Sequence, residues 1–299
     1  MCEMVQINGE YSMAGKNNKI IMTLVVIGTI MLLATMFSGC VEEQTSGLAI
    51  VVVGRDSASG TREFFYENVM EKEDFVATML EKNSNGAVHQ SVTQTEGAIG
   101  FVGLGYIDEK VKALKVNGVE ANVANVGDGS YPIARNLNMY TDGNPTGIAE
   151  EFLKYIDSTE GQQIVSDEGF VPKTATGAYT TVDGLEGTIS IVGSTTVLPI
   201  AEGAAEAFNA LYENVIVTVS GGGSSVGIQS AGEGSAEIGM ASREMKSSEE
   251  TTYPDLVKHV VCSDGIALIV HPDNDYVSDL SVENIKAIYK GTYTNWNEL

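Results

Sequence analysis

Cysteine, histidine and cationic side chains are all scarce in this 299-residue chain, and each scarcity removes a class of function. Three cysteines, Cys2, Cys40 and Cys262, are too few for a disulfide framework. Three histidines, His89, His259 and His271, fall at no metal-ligand spacing, so neither a metal nor a cofactor is expected. Only 17 Lys and Arg stand against 40 Asp and Glu, a formal net charge of -23. Nucleic-acid backbones are held by Lys and Arg, so a balance this acidic argues against a nucleic-acid partner. It leaves a small anion open, because an ion in a cleft responds to its nearest dipoles while distant surface charge is screened by salt.

What the chain does have is apolar mass and an export-like start. At 43% hydrophobic it can bury a sizeable core, and its length suits one large domain or two moderate ones. Lys16 and Lys19 precede an apolar run from Ile20 to Met36, and Phe37-Ser38-Gly39-Cys40 follows. That is a basic n-region, an apolar h-region and a small-residue cleavage site, so residues 1–40 read as a signal peptide. Ser-Gly-Cys resembles a lipobox, which implies lipidation of Cys40 and attachment to the outer face of the cytoplasmic membrane. An uncleaved anchor helix is the alternative. Residues 41–47 are then a polar tether.

From residue 48 the chain alternates strand-like and helix-like segments. Leu48 to Val53 and Ala98 to Val102 are apolar runs of strand length, and Thr61 to Met70 has helical character between them. Ile148 to Ile156 is amphipathic, and Ser158 is placed to cap a further helix through Glu168. Residues 174–187 are Thr/Ala/Gly-rich and read as a linker. The pattern then restarts: a strand at Ile189 to Val192, and a helix opened by Pro199 with the stripe Ile200, Ala204, Phe208 and Leu211. A strand alternating on Val215, Val217 and Val219 follows, then a strand at Ile266 to Val270 and a helix at Val282 to Tyr289. This order predicts an α/β fold with mainly parallel pairing. Cys262 reads as a small core residue.

One turn type recurs. A strand runs into Gly54-Arg55-Asp56-Ser57-Ala58-Ser59-Gly60-Thr61 and a helix, another into Gly193-Ser194-Thr195-Thr196-Val197-Leu198-Pro199 and a helix, a third into Ser220-Gly221-Gly222-Gly223-Ser224-Ser225. The first N–H groups of a helix lack intrahelical partners and sit at the positive end of its dipole. Glycine admits close approach, and hydroxyls add donors that carry no charge. Arg55 adds one fork-shaped cation able to hold two oxygens. Each loop alone is more often an ordinary N-cap; three together, one with an arginine, point to an oxyanion.

At these residues the chain resembles the phosphate-binding proteins that feed the Pst-type ABC transporter. The resemblance rests on the three loops, on Ile238-Gly239-Met240-Ala241-Ser242-Arg243, on Glu96-Gly97-Ala98-Ile99-Gly100-Phe101-Val102, and on Asn295-Trp296. It implies a two-lobed periplasmic-binding-protein-like fold with two hinge-crossing strands, near 97–106 and 265–273, and no enzymatic activity. The implied ligand is inorganic phosphate, and the implied partners are the permease and ATPase of an ABC importer. The implied ligand-binding residues are Arg55, Ser59, Gly60, Thr61, Thr195, Thr196, Ser224, Ser225, Ser242 and Arg243, with Ser224 capping its helix. Relatives that carry a carboxylate at the position of Ser242 use it to accept the phosphate proton; here Asp56 or Glu244 would have to substitute.

The pieces stand in a different order from the family's. The Arg55 loop comes first, and the chain stops just past Asn295-Trp296, so the order is that of a circular permutation joined through residues 174–187. On that reading one lobe comprises 48–103 plus 275–299 and the other 104–274. Rival readings are a receptor for sulfate, molybdate or tungstate, a lipid-anchored hydrolase using Ser59 or Ser194, and a surface lipoprotein with no ligand. The hydrolase would need a base beside its serine, and no Gly-x-Ser-x-Gly surrounds Ser59.

Overall fold

A computed structural model describes residues 47–299. The expected signal peptide, Cys40 and nearly all of the tether lie outside the described residues.

The first half of the fold is three strands with a helix after each of the first two. β1 (Val51–Arg55) runs into α1 (Gly60–Asn68), β2 (Leu80–Lys82) into α2 (Asn85–Thr93), and β3 (Ala98–Gly103) follows. β2 and β3 both pair parallel with β1. β3 is buried along its whole length, as its unbroken apolar run requires. Next come the short strands β4 (Lys112–Ala113) and β5 (Lys115–Val116) and the short helix α3 (Val123–Gly127). β6 (Ala134–Asp142) then precedes α4 (Gly147–Asp157), α5 (Thr159–Asp167) and β7 (Val171–Pro172). Ser158 caps α5 as its sequence position predicts, its hydroxyl accepting from Gly161 N at 3.2 Å.

The second half repeats the alternation with β8 (Gly187–Gly193), α6 (Leu198–Leu211), β9 (Val215–Gly221), α7 (Ser224–Gly232) and β10 (Ile238–Ala241). α8 (Ser247–Thr252), the 15-residue β11 (Leu256–Val270), β12 (Asp279–Leu280) and α9 (Val282–Lys290) complete it. β9 and β10 pair parallel with β8. β11 joins the two parallel groups: its first residues pair antiparallel with β6, and Ile266 to Val270 pair antiparallel with β3. The sheet therefore runs β2-β1-β3-β11-β6-β10-β8-β9.

Three sequence expectations change. Pairing is mixed, because the joining strands β6 and β11 are antiparallel to their neighbours. β6 escapes a hydrophobicity reading because Arg135 and Asn138 are buried polar residues within it. Likewise β11 begins ten residues before Ile266, since Lys258, His259, Ser263 and Asp264 interrupt its apolar pattern. Leu211 is 46% exposed and no part of the α6 stripe. The helical step of four from Ile200, Ala204 and Phe208 leads to Tyr212 instead, whose ring lies 4.9 Å from that of Phe208.

Two main cores flank the sheet. One gathers Phe65, Phe101, Ile285, Tyr289 and Trp296 with Leu114, Val116, Val126 and Tyr131. The other gathers Phe152, Val165, Phe170, Ile200, Phe208 and Val261 with Cys262. Burial drives the Cys262 thiol well above its ordinary pKa, so it sits there as a packed, un-ionised group. The linker carries no regular element between β7 and β8, yet Tyr179 from it packs on the second core and shares a 2.6 Å hydroxyl contact with Tyr212. Residues 48–50 meet 294–296, with Ile50 N donating to Thr294 O and Trp296 N to Leu48 O. Among the described residues no helix is long and apolar enough to cross a membrane.

Candidate functional site

Parallel strands in register end together, so the loops that leave them become neighbours. Gly193, the last residue of β8, lies beside Gly221 of β9 and beside Met240 of β10. The Ser194–Val197 turn, the Gly222–Gly223 turn and Ser242 thus leave the sheet at one level. Gly222 N and Gly223 N both donate to Gly193 O, at 2.8 and 2.9 Å. Gly193 has φ +141°, a backbone that side-chain-bearing residues rarely adopt. In the other group Arg55 lies beside Lys82, so the Arg55 loop departs next to Asn83–Ser84 and the start of α2. Carboxyl ends of parallel strands are where α/β sheets bind ligands.

These two sets of loops meet in one buried hydroxyl cluster. Thr61 Oγ1, at the start of α1, lies 3.1 Å from Thr196 Oγ1 before α6. Ser224, the first residue of α7, accepts from Ser242 N at 3.0 Å, and the Ser224 and Ser242 hydroxyls are 3.4 Å apart. Gly60 seats directly on this pair: a Cβ there would fall 2.8 Å from Ser224 Cβ and 2.9 Å from Ser242 Oγ. Ala58 O accepts from Ser225 N at 3.1 Å, so the contact between the loops is partly backbone. The starts of α1, α2, α6 and α7 all surround the cluster, so it sits at the positive ends of four helix dipoles.

Two guanidinium groups complete it, and only one was legible in the sequence. Arg135 from β6 donates through Nη2 to Thr61 Oγ1 (3.0 Å) and Thr196 Oγ1 (3.4 Å), and through Nη1 to Ser242 O (3.0 Å). Its Nε and Nη2 grip Asp264 Oδ2 of β11 at 3.1 and 2.8 Å. Burial pushes the Asp264 carboxyl up and the Arg135 guanidinium down, while the mutual attraction opposes both shifts. A guanidinium keeps its proton in proteins, and its two bonds hold the carboxylate beside it, so the pair stays ionised. Arg55 is buried, with Nε on Lys82 O (3.1 Å) and Nη2 on Asn83 O (3.2 Å). Its Nη1 faces the Asn85 amide at 3.3 Å, as does Thr196 N at 3.2 Å. Both are obligate donors, so the amide oxygen is the atom that fits between them. The same oxygen lies 3.1 and 3.0 Å from the Thr195 and Thr196 hydroxyls.

The other expected residues stand further out. Ser59 spends its hydroxyl as the N-cap of α1, accepting from Arg62 N at 3.2 Å. Arg243 is clamped by Glu249 through two bonds of 2.6 and 2.7 Å, and its Nη2 also donates to Ser225 Oγ at 3.0 Å. Ser225 and Arg243 therefore form their own ion-pair network behind α7, where Glu249 supplies the anion. Ser224 is not the cap of α7; Gly223, with φ +95°, holds that position and frees the Ser224 hydroxyl for the cluster. Neither candidate serine nucleophile has a base: Ser59 caps a helix, and Ser194 Oγ accepts from Thr196 N. The histidines are engaged elsewhere, His89 with Asp108, His259 with Thr141, and His271 beside Asp273. Among the described residues no His/Cys/Asp/Glu group could hold a metal ion.

The close seat of Gly60 makes a direct test. Gly60→Ala is expected to weaken oxyanion binding about tenfold, because the added methyl forces the Ser224 and Ser242 hydroxyls apart. Wild-type affinity for this variant in titration calorimetry would mean the two loops do not close on each other when ligand is held.

Comparison with known proteins agrees with this architecture. The family model for the PBP superfamily domain matches residues 29–160 and 175–299. The phosphate-binding protein PstS 2 of Streptococcus pneumoniae serotype 4 is 34% identical over 267 residues, covering 86% of this chain and 90% of the relative. The phosphate-binding protein PstS of Bacillus subtilis is 39% identical over 127 residues, which is 42% of either chain. A crystal structure of a phosphate ABC transporter, phosphate-binding protein from Streptococcus pneumoniae TIGR4 superposes with a TM-score of 0.68 at 34% identity. It covers 84% of this chain and 99% of that one.

Proposed function

The chain belongs to the PBP superfamily, and we propose that it captures inorganic phosphate outside the cytoplasmic membrane and hands it to an ABC importer. One observation carries the reading. Hydroxyls from loops 135 residues apart meet in a buried cluster ringed by four helix starts and two guanidinium groups. Such a site offers donors on all sides with little surplus charge, because Asp264 balances Arg135. A dehydrated tetrahedral anion needs many short donors more than it needs net charge. The relatives named above as phosphate-binding proteins supply the ligand's identity. We assign Thr61, Thr195, Thr196, Ser224, Ser242 and Arg55 to the ligand, with Gly60 providing the close approach. A binding role rather than an enzymatic one is supported by relatives that are named as binding proteins.

Selection of phosphate over sulfate needs an acceptor for the proton that phosphate retains. Of the two candidates, Glu244 is largely exposed and paired with Lys258. Asp56, beside Arg55, has a buried Oδ1 with no hydrogen-bond partner. We assign the proton to Asp56. Asp56→Asn is expected to lower phosphate affinity on the order of tenfold and to narrow the gap to sulfate. Calorimetry of the intact chain with phosphate and sulfate checks both statements; tighter binding of sulfate by the unaltered chain would favour the sulfate-receptor reading.

The lobes are read here from the cores. The core around Phe101 is built mainly from residues of 48–133 and 266–299, and the core around Phe208 from residues of 137–262, with β11 contributing to both. We therefore assign 104–133 to the first lobe, because Leu114, Val116, Val126 and Tyr131 pack in its core. The circular permutation is our reading of the order of the loops, and the pairing of residues 48–50 with 294–296 agrees with it. Export by residues 1–40 and a lipid anchor at Cys40 complete the reading, and mass spectrometry of the mature amino terminus tests them.

A further inference from the structure

We propose that the buried Arg135–Asp264 ion pair is the positioning element of the oxyanion site, fixing the Thr61 and Thr196 hydroxyl oxygens side by side where a ligand meets them; this rests on the phosphate reading above. A guanidinium can only donate. Arg135 Nη2 therefore engages a lone pair on Thr61 Oγ1 and another on Thr196 Oγ1, at 3.0 and 3.4 Å. Arginine offers these protons no acceptor, so they turn to each other across 3.1 Å, to the Asn85 amide oxygen 3.0 Å from Thr196 Oγ1, or to an entering oxyanion that competes for them. Thr61 comes from the Arg55 loop and Thr196 from the Gly193 loop, so a single nitrogen spans both groups of parallel strands.

Asp264 makes that donor stationary. It stands on β11 one residue from Gly265, where the strand passes from its β6 pairing to its β3 pairing. One oxygen holds Arg135 through two bonds, and the other accepts from Leu104 N at 2.9 Å, just beyond the end of β3. The pair thus ties together β3, β6 and β11 and, through Arg135 Nη1, the Ser242 carbonyl after β10. If the pair served only stability, apolar side chains of similar volume would replace it without loss, since desolvating two charges costs about what their attraction returns.

That contrast supplies the experiment. In the intact chain, Arg135→Met combined with Asp264→Leu is expected to keep or raise Tm while weakening inorganic phosphate binding on the order of 10- to 100-fold. A double variant that folds and binds phosphate like wild type overturns the proposal. Arg135→Lys provides a second arm should the double variant not fold. Its ammonium keeps the charge beside Asp264 but cannot spread donors over both threonines, Ser242 O and Asp264 at once. Full affinity in Arg135→Lys overturns the positioning role, and a large loss with unchanged Tm supports it. Should the unaltered chain bind sulfate and not phosphate, only the choice of ligand fails. The same variants are then compared on sulfate.

Discussion

Replacing Arg55 by alanine should weaken phosphate binding by about 2–5 kcal/mol, roughly 30- to several-thousand-fold in Kd. The size follows from how the guanidinium is held. Only 1% of the residue is exposed, and two of its three nitrogens are fixed on the carbonyls of Lys82 and Asn83. The third faces the Asn85 amide at the edge of the threonine hydroxyls. Its direction is thus set before any ligand arrives, and little rotamer entropy remains to be lost on binding. Burial pulls its pKa down to about 10; Asp56 opposes the shift and Arg135 adds to it. A cation with a pKa near 10 is fully protonated at neutral pH. The ratio of wild-type to Arg55→Ala affinity should therefore be flat from about pH 6 to 8.5. Arg55→Lys should recover only part of the loss, because an ammonium cannot bridge two carbonyls and still point at Asn85. Titration calorimetry decides it, and equal affinity for wild type and Arg55→Ala would remove Arg55 from the site.

The loops were readable in the sequence because their chemistry is local. Gly, Ser and Thr between an apolar run and a helical pattern announce a helix start, and the in-register ends of β8, β9 and β10 make such starts converge. Asn85, Arg135 and Asp264 were not readable, for the opposite reason. Each acts through partners far along the chain: Asn85 through Thr195 and Thr196, Arg135 through Thr61 and Asp264, and Asp264 through Leu104. No periodicity marks a polar residue whose partner arrives by folding. Arg135 and Asp264 also broke the very patterns used to find strands, which is why β6 and the first part of β11 were missed together. Arg243 misled in the other direction: it follows the Ile-Gly strand in sequence, yet Glu249, six residues on, captures its guanidinium.

Net charge is a poor guide to such a site for a related physical reason. The chain carries 23 more acidic than basic groups, yet the groups within the cluster are hydroxyls, amides, two guanidinium ions and one paired carboxylate. Surface carboxylates act on a buried ion only through solvent and salt, whereas the helix-start amides act at contact distance. Higher salt should therefore speed phosphate association by screening the acidic surface, with little effect on dissociation.

The largest effect on stability is expected at Gly227, in the α7 helix that begins at Ser224. Gly227 is where α7 crosses the sheet: a Cβ there would fall 2.8 Å from Val192 O and 2.9 Å from Gly193 Cα, and closer still to Met240 O. All three obstacles are backbone atoms of paired strands β8 and β10, so no rotamer change can relieve the clash. The helix must lift away from the sheet. Gly227→Ala should therefore cost about 3 kcal/mol and roughly 6–12 °C in Tm, and should displace Ser224 from Ser242 with a loss of phosphate binding. The same substitution at Gly86 in α2 is the internal control, because a Cβ there meets nothing within 4 Å. Gly86→Ala should be neutral or stabilise by up to about 0.5 kcal/mol, since Gly86 is the second residue of α2 and alanine has less chain entropy to lose there than glycine. Thermal denaturation of the two variants side by side separates helix propensity from contact. Equal shifts of the same sign would show that α7 does not press on β8 and β10 through Gly227.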